Sequence, residues 1–207
     1  MMIRVILLVF CLFYGERNGV LEALPAFIVY PSKVHHFSKV YEQIRSHEGC
    51  YVFDKRDRGG ETYGGIARRI HPQWMGWEYV DEAKPLERFD TVARAEFWVK
   101  DWYLDIWIHE GFENIESYEL ALNLFDFRIH SSPRTVELFT NRVLVKMGCD
   151  PVTIGEDWID NRFNQVDVVE FTLRLKIQRI LLFNYIVTRH PDQRVFYGGW
   201  VSRVSNI

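Results

Sequence analysis

His47-Glu48-Gly49-Cys50-Tyr51-Val52-Phe53-Asp54-Lys55-Arg56-Asp57-Arg58-Gly59-Gly60-Glu61-Thr62 separates one helix-patterned segment from a succession of others, and its reading decides the architecture. Upstream, Ser32 is placed as an N-cap, and Val34, Phe37, Val40, Tyr41 and Ile44 recur on one helical face until Gly49 stops the pattern. Within the stretch, Tyr51-Val52-Phe53 suits one extended strand and Asp57-Arg58-Gly59-Gly60 a turn, so a loop or small hairpin is expected there. Downstream, Asp90 can cap a helix whose stripe is Val92, Ala95, Trp98, Val99 and Trp102. Further helices are expected from Ser117 to Ile129, from Ser132 to Met147 with Pro133 in the first turn and Gly148 at the end, and from Asp167 to Arg189, closed by Pro191. The fold class expected is mainly α, with a small β-hairpin or loop and no linker tract between the helices.

Composition removes several classes. With 207 residues, 48% hydrophobic and 26% charged, the chain can bury a real core, and neither disorder, a collagen-like repeat nor a multi-pass membrane protein fits. The net charge of -3 is unevenly spread: residues 81–126 hold twelve acids and four bases (-8), while 171–207 hold six bases and one acid (+5). A basic C-terminal face can meet an acidic polymer, either nucleic acid or wall material. Cysteines at 11, 50 and 149 match no zinc spacing and are too few for a disulfide scaffold; free thiols, no metal and no cofactor are expected. Residues 1–31 read as a leader or signal-like segment, since the apolar run from Ile3 to Phe13 is short for a membrane span and no small-x-small cleavage site follows. A spurious upstream start fits equally.

The quoted stretch concentrates carboxylates around a helix end. Glu48 falls in the last turn of its helix, where unsatisfied carbonyls disfavour ionisation, and packing against Tyr51 or Phe53 would act the same way. A carboxyl group that keeps its proton near neutral pH is what general acid catalysis on a glycosidic oxygen requires. Asp54 and Asp57 follow on the loop, where one can face Glu48 across a cleft, or both can serve as turn-formers bonded to their own backbone. Thr62 can hold a water or orient a sugar. Trp74 and Trp77 lie in a Pro/Gly-containing segment and read as sugar platforms or as packing, whereas Trp98 and Trp102 read as core. His47-Glu48 and His109-Glu110 each lack the second histidine of a zinc protease, and the glycine pairs lack phosphate-loop spacing.

Residues 47–66, H-E-G-C-Y-V-F-D-K-R-D-R-G-G-E-T-Y-G-G-I, resemble the E-G-G-Y…D-P-x-D-x-G-G-E-T-x-x-G-I signature of glycoside hydrolase family 108, the lysozyme-like N-acetylmuramidases of bacteria and phages. Leu124 to Ser132 is similar to the family's F-D-x-x-V-N-S-G junction, and residues 148–165 with 189–204 resemble the peptidoglycan-binding module fused to these enzymes. The resemblance implies a lysozyme-like helical fold: a leader over 1–31, a catalytic domain over 32–147 and a helical wall-binding module over 148–207 packed on it. It implies cleavage of the β-1,4 bond between N-acetylmuramic acid and N-acetylglucosamine, with Glu48 as acid and Asp57 and Thr62 as its catalytic partners. Tyr51, Asp54, Tyr63, Trp74, Trp77 and His130 are the candidate substrate contacts. Some relatives bear the label secretion activator. The expected partner is the glycan strand, with no nucleic acid, no stable membrane insertion and a monomeric state; the expected place is the cell envelope, periplasm or exterior, or the cytoplasm with holin-type release. The chain departs from the pattern at Cys50 for Gly, at Lys55 for Pro and at His130-Ser131-Ser132 for N-S-G. Those departures motivate a rival, a wall-binding or secretion-associated protein that keeps the cleft without turnover. A basic nucleic-acid binder rests on the +5 tail alone.

Overall fold

The computed structural model describes residues 36–47, 50–53, 59–84, 93–155 and 157–207. Its first helix, α1 (Phe37–Ser46), buries Phe37, Val40 and Ile44, the face that the sequence marks; Ser32, Val34 and Asp90 lie outside the described residues. Three short strands follow, β1 (Tyr51–Phe53), β2 (Glu61–Tyr63) and β3 (Ile66–Ala67), in an antiparallel sheet of order β1-β2-β3. The sequence marks one strand and a hairpin or loop; the third strand needs the Gly64-Gly65 turn, where both glycines have positive φ. Gly64 is required there twice over, because a Cβ would stand 2.8 Å from Val99 Cγ2.

Helices α2 (Gly76–Ala83) and α3 (Ala93–His109) lie against each other beside the sheet. Next comes α4 (Tyr118–His130), whose residues from Leu120 to Phe127 are all buried, so it is the central helix around which the others pack. Ser117 caps it by accepting from Leu120 N. Helix α5 (Pro133–Lys146) begins as its sequence predicts, with Ser132 accepting from Thr135 N and Pro133 in the first turn. It ends in a paired carbonyl cap: Gly148 N donates to Val145 O and Cys149 N to Leu144 O, with Gly148 in the left-handed region. Helix α6 (Val168–Arg189), capped by Asp167, packs on α4, α5 and α7 (Arg194–Asn206).

The core is a chain of aromatic rings. Trp107 meets Phe125 at 5.0 Å and Phe112 meets Phe125 at 4.9 Å, both edge to face, and Phe37 closes on Trp107 at 5.7 Å. From Phe112 the chain continues through Trp158, Phe163 and Phe171, which pins the irregular segment before α6 to the same core. Glu110 fixes that segment by polar contacts as well. Its carboxylate accepts from Trp158 Nε1 at 2.7 Å and pairs with Arg128 Nη2 at 2.6 Å.

Candidate functional site

The last turn of α1 is tied down from below. Arg45 donates to Glu96 of α3 through Nε (3.1 Å) and Nη2 (2.5 Å), a two-point pair, and Tyr63 Oη of β2 donates to the same carboxylate at 3.0 Å. Burial and the Glu96 charge push the Tyr41 hydroxyl up to about 12, and they raise Tyr63 as well. Burial works against the Arg45 charge, but Glu96 more than offsets it and the guanidinium is held charged. Helix end, strand and α3 are thus joined by one carboxylate. Nothing in the sequence marks Glu96 beyond a charge beside Ala95 in an otherwise apolar stripe. Glu48, Asp54 and Asp57 lie outside the described residues, between His47 and Cys50 and between Phe53 and Gly59. Cys50 is half-buried and forms no disulfide among the described residues.

The sheet divides the remaining candidates between its two faces. Tyr51 pairs with Tyr63, Val52 with Thr62 and Phe53 with Glu61, so alternation puts Tyr51, Glu61 and Tyr63 on one face and Thr62 on the other with Val52 and Ala67. Thr62 is half-buried, and its hydroxyl reaches Gly60 O only at 3.5 Å. On the opposite face Glu61 accepts from Tyr51 Oη (2.7 Å) and Arg68 Nη1 (2.6 Å) and pairs with Lys84. Arg68 also bonds Asp81 of α2 and lies over the Trp77 ring at 4.6 Å. Burial alone would raise the Glu61 carboxyl, but Lys84, Tyr51 and Arg68 lower it; Arg68, opposed by burial and helped by Lys84, brings Asp81 to about 2. A carboxylate held ionised by two cations is an anchor between sheet and α2, not a proton donor.

Two candidate substrate residues need correction. Tyr63 is fully buried, and Trp77 is 3% exposed with its Nε1 donating to His71 O at 2.8 Å. Neither ring presents a face to a sugar. The reason is that α2 forms where the Pro72 and Gly76 signals read as an open loop: Trp74 stacks on Tyr63 at 6.3 Å and meets Trp77 edge-on at 5.1 Å, making a packed aromatic layer between sheet and α2. Trp74 itself is half-buried and donates to Trp98 O.

His130 stands elsewhere, in a charged cluster where α4, α6 and α7 meet. Asp126, fully buried, accepts from Arg179 Nη2 at 2.6 Å and Arg203 Nε at 2.8 Å, and His130 Nδ1 lies 3.4 Å from its Oδ1. Burial would raise this carboxyl, but His130, Arg179 and Arg203 hold it at about 2. Two of the bases that give the tail its positive balance are therefore turned inward, onto an acid of the 81–126 stretch.

An open cavity of about 590 Å³ runs along the outer face of α1, lined by His36, Lys39, Glu42, Gln43 and Ser46 with Tyr118 of α4 as its aromatic wall. Its far end, at Ser46, is two residues before Glu48 in the chain.

Three comparisons bear on this arrangement. No curated protein matches the chain. Among solved structures it is similar to one described as "Structure of Brucella abortus SagA", at 21% identity and a TM-score of 0.55, over 82% of this chain and 90% of that one; at this identity the likeness speaks for the fold alone. Residues 41–131, which run from the middle of α1 through the sheet to the end of α4, match the family model described as Glycosyl hydrolase 108, a match that supports a glycoside hydrolase.

Proposed function

We propose that the protein is a peptidoglycan hydrolase of the N-acetylmuramidase type, cleaving the β-1,4 bond between N-acetylmuramic acid and N-acetylglucosamine in the cell envelope. Glu48 protonates the glycosidic oxygen, Asp57 activates water or stabilises the oxocarbenium-like transition state, and Thr62 positions that water or the sugar. The observation that carries this reading is the family match over 41–131, whose span includes all three residues. Two features of the geometry support it. Helix α1 ends at Ser46, and the carbonyl end of a helix disfavours a negative charge placed close to it. The open cavity along α1, with Tyr118 as a ring to stack on, offers a bed for sugars beside the same helix. In this reading residues 32–147 are the catalytic domain, and 148–207 a wall-binding module packed against it.

The test is digestion of purified sacculi followed by borohydride reduction. Reduced muramic acid at the new ends is the expected product. Reduced glucosamine would replace the bond assignment. Retention on insoluble sacculi with no new reducing ends would favour the binding-only rival, which the Cys50 side chain at the motif's second glycine motivates.

A further inference from the structure

The Glu96 carboxylate is a polar meeting point of three elements, and the proposed chemistry does not yet use it. Standing on α3, it accepts from Arg45 Nε (3.1 Å) and Nη2 (2.5 Å) at the end of α1 and from Tyr63 Oη (3.0 Å) on β2. Helix α3 holds the sheet at two further points: Tyr103 Oη donates to Gly64 O at 3.2 Å, and Val99 fills the space over Gly64. Upstream, α1 meets α3 through rings, Phe37 on Trp107 and Tyr41 on Tyr103. Its last turn reaches α3 through Arg45, and His47 N extends that turn by donating to Ile44 O at 3.0 Å. In the chain, Glu48 follows Arg45 by three residues and Thr62 immediately precedes Tyr63.

We propose that Glu96 is a positioning residue: its carboxylate sets the end of α1 against β2, and so fixes the helix end that leads to Glu48 relative to the strand that carries Thr62. The inference rests on the muramidase reading above, in which those two residues act on one glycosidic bond. A two-point guanidinium–carboxylate pair fixes orientation as well as distance, which a single bond or an apolar contact does not. Stability is the smaller part of what it supplies. Arg45 is 14% and Glu96 34% exposed, and an ion pair in such a place gains little over apolar side chains of the same volume. Phe37, Val40 and Ile44 bury the body of α1 without it. Losing the pair therefore loosens the last turn and leaves the fold, and a reacting group misplaced by about 1 Å costs turnover about 10²-fold.

Among the described residues, the titratable groups packed about this pair are Tyr41 of α1, Cys50, Tyr63 of β2 and Lys100 of α3, whose Nζ lies over the Tyr41 ring at 5.8 Å. Burial and the Glu96 charge raise both tyrosine hydroxyls, which stay neutral wherever a carboxyl group titrates. A substitution at Arg45 or Glu96 thus alters the charge beside the helix end with a definite sign: removing Glu96 leaves the cation, and removing Arg45 leaves the anion.

Steady-state cleavage of soluble, uncross-linked glycan strands by the full chain, read as new reducing ends well below the unfolding temperature of every variant, tests this. Glu96→Ala should lose about 10²-fold in kcat with KM within about twofold of wild type. Glu96→Gln, which keeps an oxygen for Arg45 and Tyr63, should recover at least about tenfold of that loss. Arg45→Met should match Glu96→Ala, and the two substitutions together should be no worse than either, since the same contact is lost each time. The alkaline limb of the kcat–pH profile should move down in Glu96→Gln, where Arg45 keeps its charge and its partner does not, and up in Arg45→Met, where the anion is left. A merely structural tie would not move the limb in opposite directions. While the wild type cleaves, any of four results overturns the proposal: Glu96→Ala at the wild-type kcat, a loss confined to KM, losses that multiply in the double variant, or limbs that move together or stay put. A wild type that releases no reducing ends fails the muramidase reading instead, and the proposal falls with it.

Discussion

Replacing Asp126 by Asn removes the anion that, among the described residues, compensates the buried Arg179 guanidinium and pairs with Arg203 of α7. Asp126 is 0% and Arg179 2% exposed, so solvent does little to screen the pair. The cost lies between two limits. The carboxyl is displaced from 3.8 to about 2, which corresponds to about 2 kcal/mol of folding stability. Breaking a buried pair by removing one partner leaves an uncompensated charge, at about 3–5 kcal/mol. Urea unfolding of Asp126→Asn should therefore show a midpoint lower by about 1–2 M at an unchanged slope. Converting both partners, Asp126→Leu with Arg179→Met, should recover most of the loss, because Arg203 is 15% exposed and can hydrate. The sign with pH follows from the lowered carboxyl: its contribution is complete above about pH 4 and fades as pH falls toward 2. A loss under about 1 kcal/mol in Asp126→Asn, or a double variant no better than the single, would refute the claim that this cluster fastens the last two helices to α4.

Three further outcomes follow from the geometry near the sheet. Gly64→Ala should lower stability by about 1–3 kcal/mol, since it combines a positive φ with a 2.8 Å approach to Val99; adding Val99→Ala should relieve only the steric part, as read by thermal unfolding. Trp77→Ala should cost about 3–5 kcal/mol in denaturant unfolding yet leave the affinity for soluble glycan fragments unchanged, because the ring packs between Trp74 and Arg68. Glu61→Gln should flatten the acid side of the stability profile: the lowered Glu61 carboxyl contributes stability above its ordinary value of 4.5 and loses it below, and the variant has no such term to lose.

The helices whose ends carry their own chemistry were legible in the sequence. Ser132, Pro133 and Gly148 delimit α5 by local bonds alone, and Phe37, Val40 and Ile44 mark the buried side of α1. Helix α7 was not, since Gly198 and Gly199 disfavour a helix and only Val204 is buried; it forms where it packs on α6 and where Arg203 reaches Asp126, 77 residues away. Helix α2 was hidden by Pro72 and Gly76, whose turn signals conceal that Trp77 is drawn under the sheet. The site shows the same division. Spacing put Glu48, Asp57 and Thr62 in one stretch, but strand alternation, which separates Thr62 from Tyr51 and Tyr63, depends on a register that no periodicity in three residues can give. The partners of Glu61, Glu96 and Asp126 are set by tertiary contact: Glu61 and Asp126 stand at motif positions that name no partner, and Glu96 shows in the sequence as a charge alone.

The proposed turnover depends on a single carboxyl group, and the decisive measurement is the rate of glycan cleavage by Glu48→Gln beside wild type under identical conditions, with circular dichroism confirming the fold of both. Loss of the general acid should lower turnover by at least about 10²–10⁴-fold while binding to sacculi persists. Cleavage by the variant at the wild-type rate would contradict the mechanism.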